Sequence, residues 1–295
     1  MFNVRNGEIY MIKLKTFGSF TVGNGLTSVQ EGAWRSEKLE KLFVYLAMNR
    51  NRGVCIEDIS EAIWQVEEET DNPVGALKNL AYRLRKALRD ASFDEECIVS
   101  VRGGLYKWND DVEVTIDVEE FDRYINEAEM AFCRSKETAI ESYEKAIALY
   151  HGDFLPLRTD THWFMTLNAF YHSRYVNTVK ALAKLYIDTG CYEKLEQLCI
   201  RAIVYERSDE QIYSYLIMAR MRTKKVQMAF DTYETAKAIM DKDLGVRKTV
   251  MLNKVYEELL SVTKGVSSYN IDEVKEDINE ESMEGVFMCG YPVFK

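Results

Sequence analysis

The segment of this chain that most restricts its fold is residues 72–90, NPVGALKNLAYRLRKALRD. Asn72 is a favourable N-cap and Pro73 suits the first helical position, so a helix is predicted to begin here. Its apolar residues form one stripe, which comprises Leu77, Leu80, Ala81, Leu84 and Leu88. The residues predicted to project outward are Lys78, Asn79, Tyr82, Arg83 and Lys86. Such a helix buries one side and presents a basic side to its surroundings.

The positive charge of this helix contrasts with the rest of the chain. Between Pro73 and Arg89 there are five cations and no carboxylate, whereas the whole chain of 295 residues has a formal net charge of -10. Residues 1–110 hold 15 Lys and Arg against 16 Asp and Glu. Because no whole domain is basic, any nucleic acid would be bound by a local patch and not by the field of the entire molecule.

The segments around the basic helix predict its structural neighbours. The stretch IYMIKLKTFGSFTVGNG alternates in polarity and turns at Gly18 and again near Gly23, which indicates an antiparallel meander. Two helical patterns follow, one from Ser36 and one over IEDISEAIW. Beyond the basic helix, CIVSVRGGLYKWND predicts a β-hairpin with Arg102 at its tip.

Meander, three helices and hairpin, in that order, predict a winged helix-turn-helix over residues 10–110. The third helix of such a domain lies in the major groove of DNA, and the hairpin is its wing. The alternative is that the basic face is merely a solvated surface, as runs of charge usually are.

From Asp117 onward the pattern is helical, and it repeats. Three segments share one frame: Ala139, Tyr143 and Ala146; Leu195, Cys199 and Ala202; Ala229, Tyr233 and Ala236. The second and third lie 34 residues apart, which is the tetratricopeptide period. The fold is therefore expected to be mainly α with a small β part, with an all-α tetratricopeptide-like repeat over residues 112–264; an unrelated helical bundle is the alternative. Residues 265–295 read as an acidic linker or tail, mobile over 265–284, or as the start of a further, truncated domain.

The residue patterns that several classes of function require are missing from this sequence. The six cysteines and three histidines are scattered without zinc spacing, so neither a metal site nor a cofactor is expected. A phosphate-binding glycine loop and a nucleophile elbow are both missing, which argues against an enzyme. The histidines, His151, His162 and His172, read as helix-end or surface residues, and Cys191 and Cys199 as small buried apolar ones. Without a long apolar run or a signal-peptide pattern, no membrane association and a cytoplasmic location are expected.

Seven stretches together carry a family resemblance: LKTFGSFTV, RSEKLEKLFVYLAMNR, ALKNLAYRLRKAL, VRGGLYKW, DVEEFD, LYHGDFLP and DLGVRKTVMLNKVYEELL. Their order and spacing resemble the bacterial transcriptional activator domain proteins, the group that includes the Streptomyces antibiotic regulatory proteins, over about residues 10–264. The resemblance implies an OmpR-like winged helix followed by a helical activator domain, acting at promoters with double-stranded DNA and RNA polymerase as partners.

The resemblance also implies roles for single residues. Lys78, Asn79, Tyr82 and Arg83 would face bases or phosphates. Arg85 and Lys86 would lie nearer the DNA backbone, and Arg102 would enter the adjacent minor groove.

Two functions follow from these patterns. The first is a sequence-specific DNA-binding regulator that activates transcription; the second is a tetratricopeptide-like adaptor whose winged helix makes protein contacts only. The operator, the effector, the choice between activation and repression, and a homodimeric state are all left open by the sequence.

Overall fold

A computed structural model describes residues 4–5, 8–9, 11–65, 72–93, 97–101, 104–244 and 249–263. The strands of these residues are Val4–Arg5 (β1), Glu8–Ile9 (β2), Ile12–Lys15 (β3), Thr21–Gly23 (β4), Ser28–Gln30 (β5), Ile98–Val101 (β6), Leu105–Trp108 (β7) and Val114–Ile116 (β8). The helices are Glu37–Met48 (α1), Ile56–Ile63 (α2), Pro73–Asp90 (α3), Asp117–Ala131 (α4), Lys136–Leu149 (α5), His162–Asp188 (α6), Tyr192–Tyr205 (α7), Glu210–Arg222 (α8), Val226–Ile239 (α9) and Val250–Thr263 (α10).

The predicted meander is confirmed and gains an additional strand. β3, β4 and β5 pair antiparallel in sequence order, and the alternation of β3 buries Ile12 and Leu14 while Lys13 and Lys15 face outward. β8 then pairs in parallel with the free edge of β3, with Leu14 opposite Ile116. Because this pairing joins residues about a hundred positions apart, no local sequence pattern indicates it.

The three predicted helices of the N-terminal part are confirmed, and their apolar faces form its core. The side chains of Leu42, Phe43 and Leu46 in α1 are buried, and α2 adds Ile59 and Ile63. The rings of Phe43 and Trp108 meet edge to face with centroids 5.4 Å apart, which ties α1 to the hairpin strand β7.

The predicted hairpin is formed by β6 and β7, which pair antiparallel from Ile98 opposite Trp108 to Val101 opposite Leu105. Gly104, after the turn, has a positive φ of 80°, a conformation that glycine adopts without steric cost. Val54 and Tyr106 exchange two backbone hydrogen bonds of 2.8 Å, so the hairpin is fixed to the segment before α2.

The three repeated frames lie on α5, α7 and α9, as the periodicity predicts. All nine frame residues are buried, including the two that depart from the pattern, Leu195 and Cys199. Gly190, with a φ of 70°, lies in the turn between α6 and α7. The expectation of a mainly helical second half is therefore confirmed.

The chain divides into two compact units: Met1–Cys191 with Val204–Glu206, and Tyr192–Ile203 with Arg207–Lys295. The winged helix and helices α4 to α6 thus lie in one unit. The domain limits 10–110 and 112–264 stay predictions, and the packing of residues 1–191 into one unit weighs against independent folding of residues 112–264. The tail, 265–295, lies outside the described residues.

Candidate nucleic-acid interface

Helix α3 begins where its sequence predicts. The Asn72 side chain accepts a hydrogen bond of 2.9 Å from the backbone N–H of Gly75, and Pro73 is the first helical residue. The whole predicted apolar stripe is buried, and it consists of Leu77, Leu80, Ala81, Leu84 and Leu88. The predicted outward residues are all exposed, namely Lys78, Asn79, Tyr82, Arg83 and Lys86.

The cations on this face are available to a ligand. Lys78, Arg83 and Lys86 form no ion pair with any of the residues that the structure describes. No acidic residue lies in the first turn of α3. Lys78 and Lys86 are eight residues apart, which corresponds to about 12 Å along the helix axis, or roughly three to four stacked base pairs. The outward face of α3 is therefore a basic surface of the size of a groove-reading helix.

Contacts at the far end of α3 hold this face in position. The Asn24 amide donates a 3.1 Å hydrogen bond to the carbonyl of Ser92, and the Thr27 hydroxyl donates one of 3.0 Å to the carbonyl of Ala91. Both donors belong to the turn between β4 and β5. The meander thus fixes the C-terminal end of α3 through residues far away in sequence.

Arg85 occupies a different environment from the other cations of α3. Its guanidinium donates two hydrogen bonds to the carbonyl oxygen of Ile98 in β6, from Nε at 3.1 Å and from Nη2 at 3.0 Å. The side chain is half-buried between the helix and the hairpin. Arg85 therefore connects the helix to the wing, and these two bonds leave less of its guanidinium for a phosphate than its neighbours offer. Arg102 lies outside the described residues.

The prediction that His172 is a helix-end or surface residue was wrong, because this residue is half-buried between two carboxylates. Its Nδ1 lies 2.7 Å from Asp153 Oδ1 and its Nε2 lies 3.1 Å from Glu206 Oε2. These hydrogen bonds, with that to Asp153 the strongest, raise the pKa of His172 to about 9. Because the partners are 19 and 34 residues away in sequence, no local pattern indicates this cluster.

The two cysteines that were expected to be buried differ from each other. Cys199 is fully buried, which confirms the prediction of a small buried residue, and desolvation raises the pKa of its thiol well above the ordinary value. Cys191 is only partly buried, so the prediction was wrong for this residue.

Three packed helices, of which the third has an exposed basic face, followed by a two-stranded hairpin, define the winged-helix class of DNA-binding proteins. Residues 31–108 match the family model "Transcriptional regulatory protein, C terminal". Residues 116–260 match the model "Bacterial transcriptional activator domain". The two matches follow one another along the chain and together span most of it.

Relatives with the same organisation exist among known proteins. The chain is 23% identical over 238 residues to the transcriptional regulator RedD of Streptomyces coelicolor, covering 80% of this chain and 67% of RedD. The solved structure of Mycobacterium tuberculosis EmbR in complex with low affinity phosphopeptide has a TM-score of 0.67 and 18% identity. It covers 92% of this chain and 69% of EmbR, and at that identity it shows a shared fold.

The chain belongs to the bacterial transcriptional activator domain family, as a regulator similar to the Streptomyces antibiotic regulatory proteins. It is a DNA-binding transcriptional regulator in which an OmpR-like winged helix precedes the helical activator domain. None of the helices within the described part of the chain is both long and apolar enough to span a bilayer.

Proposed function

We propose that this protein binds a specific duplex operator by placing the outward face of α3 in the major groove, and that it activates transcription through RNA polymerase. The observation that carries the proposal is the exposed face of α3, on which Lys78, Arg83 and Lys86 stand without carboxylate partners among the described residues. In a protein with a net charge of -10, a basic face of this kind is a local surface suited to a phosphate backbone.

Individual residues take different roles in this proposal. Arg83 lies in the middle of the face, where a guanidinium can donate two hydrogen bonds to a guanine edge. Lys78, Asn79 and Tyr82 face bases or phosphates beside it, and Lys86 lies nearer the DNA backbone. Arg102, on the wing, enters the adjacent minor groove. For Arg85 we propose mainly a positioning role, because its guanidinium is bonded to Ile98.

The substitution Arg83→Ala tests the assignment. It should cost about 1 to 3 kcal/mol of binding free energy to a selected duplex and relax sequence preference at one position. Lys86→Ala should weaken binding to selected and scrambled DNA alike and lower the salt slope by about one unit. Gel-shift titrations at several salt concentrations give both results, with Arg123→Ala, an exposed cation of α4, as the control.

Two outcomes would contradict the proposal in different ways. If the intact protein binds a duplex and neither substitution changes its affinity, the basic face of α3 is only a solvated surface. If the intact protein selects no duplex from a random pool, the protein functions instead as an adaptor that binds other proteins through its helical repeats.

The contact with RNA polymerase is supported by the family of the helical domain. Run-off transcription from a promoter that carries the selected duplex tests it, since an activator raises the yield and a repressor lowers it. The same duplex, used in sedimentation measurements, shows whether one or two copies bind. A regulator of this kind works in the cytoplasm, where the promoter is.

A further inference from the structure

Val74 is an exposed apolar residue at the start of α3 that the protein core does not use. Its side chain is 43% exposed, whereas the five residues of the apolar stripe are at most 5% exposed. Among the described residues from 11 to 108, the exposed large apolar side chains are Leu26, Val74 and Tyr82. Two of the three therefore lie on the helix that we assign to the major groove.

Val74 and Tyr82 lie on the same side of α3. The spacing Val74, Lys78, Tyr82 is four residues at each step, so these side chains form one row along the helix. Tyr82 is 65% exposed, and the cation Lys78 lies between the two apolar residues. A row of this composition offers apolar contact at both ends and one positive charge in the middle.

The residues around Val74 allow the helix to approach a base closely. Gly75 and Ala76 follow it directly, and neither carries a long side chain. A Cβ at Gly75 would lie 2.6 Å from the side-chain amide nitrogen of Asn72, so a larger residue there would displace the capping side chain, and Val74 is the side chain that protrudes beside it. The N-terminal residues of a recognition helix are those that contact base edges.

The major groove presents one strongly apolar group, the 5-methyl of thymine. We infer that Val74 contacts the methyl group of a thymine in the operator, and that Tyr82 contacts a second one. Eight residues of helix span about 12 Å, which corresponds to roughly three to four stacked base pairs. Val74 is thus a specificity-determining residue, and this assignment rests on the proposed binding of duplex DNA by α3.

Replacement of single thymines by deoxyuridine tests the inference, because dU lacks only the methyl group. In a duplex selected by the intact protein, one dT→dU change should weaken binding roughly fourfold, the loss expected for about one buried methyl group. The Val74→Ala protein should bind the dT and dU forms of that position equally. Leu26→Ala, which removes an exposed apolar side chain outside α3, should show the same loss of affinity on the dT→dU change as the intact protein. Tyr82→Ala should abolish the sensitivity of a second thymine, roughly three to four base pairs away.

The outcomes separate this inference from the proposed function. If the intact protein binds its selected duplex and no thymine is sensitive to loss of its methyl group, the role of Val74 is rejected while DNA binding stands. The same holds if the sensitive thymine stays equally sensitive in the Val74→Ala protein. If the intact protein selects no duplex, both the proposed function and this inference are rejected.

Discussion

The side chain of His172 connects two residues that are far from it in sequence. Its ring bridges Asp153 and Glu206, and the Tyr150 hydroxyl also donates to Asp153. The hydrogen bond from His172 is the largest of the effects that lower the pKa of Asp153, so the pair is an ion pair at neutral pH. The cluster therefore stabilises the turn after α5.

Stability should depend on pH through this histidine. The pKa of His172 in the folded protein, about 9, lies above the ordinary value of 6.5. Its contribution to the free energy of unfolding is therefore complete below pH 6.5 and is lost as the pH rises through 9. With allowance for the partly exposed ring, the loss is on the order of 2 kcal/mol. Urea unfolding followed by tryptophan fluorescence measures it, since all four tryptophans lie within Met1–Cys191. The His172→Gln protein should lack this loss between pH 6.5 and 9; an equal loss in both proteins would contradict the assignment.

At the scale of elements, residues 150–161 act as a strap from the helical domain to the winged helix. The backbone of Gly18 donates a 2.9 Å hydrogen bond to the carbonyl of Asp153, and that of Leu155 donates one of 2.9 Å to Thr16. Further along the strap, Arg158 donates to Glu40 of α1 at 2.5 Å. Arg158 and Glu40 are 4% and 2% exposed, so this ion pair is fully withdrawn from water.

A buried pair of this kind is costly to break from one side. Arg158→Met removes the cation and leaves the carboxylate of Glu40 buried, which should destabilise the protein by about 3 to 5 kcal/mol. Lys136→Met, which breaks an exposed pair with Asp188, should cost less than about 1 kcal/mol and serves as the matched control. Urea unfolding midpoints of the two variants give the comparison. Equal losses would mean that the strap does not depend on this ion pair.

At the scale of the molecule, the winged helix and the start of the helical domain share one core. The ring of Phe17 contacts those of Phe121, Tyr150 and Tyr171, with centroids 5.2, 5.0 and 5.7 Å away. Asp117 is buried at the start of α4 and accepts hydrogen bonds from the backbone N–H groups of Thr16 and Phe17 at 2.8 and 2.9 Å. Removing either part exposes apolar surface; loss of the winged helix also deprives the Asp117 carboxylate of these two donors, and loss of the helical part leaves the two N–H groups without their acceptor.

A fragment of residues 112–264 should therefore be partly destabilised. Amide exchange in α4 and α6 should be faster in the fragment than in the full chain, because these helices lose the contacts of Phe17 and β3. Exchange in α8 to α10 should change little, since their buried residues, among them Tyr213, Ile217, Tyr233 and Leu252, form a core of their own. Equal protection of α4 and α6 in both proteins would restore the boundary near residue 112 as a true domain limit.

The sequence alone was sufficient for features whose signals are local. The cap at Asn72, the apolar stripe of α3, the hairpin and the buried repeat frames all follow from residues a few positions apart. The outward cations of α3 were predictable for the same reason, because a helix whose apolar side is known has only one other side to expose. Val74 was visible in the sequence as well, but its exposure became clear only when the core was seen to exclude it.

Features that join distant residues were decided by the tertiary structure. No periodic pattern in the sequence indicates four of these contacts: the pairing of β8 with β3, the two carboxylates around His172, the burial of Arg158 against Glu40, and the hydrogen bonds from Arg85 to β6. Each of these contacts depends on which surfaces meet after the helices and strands have formed. The free energy of an ion pair depends on how deeply the pair is buried, and burial cannot be read from the sequence. For this reason the sequence predicted the exposed basic face of α3, which we propose binds DNA, and only the fold showed how the activator domain holds the winged helix in place.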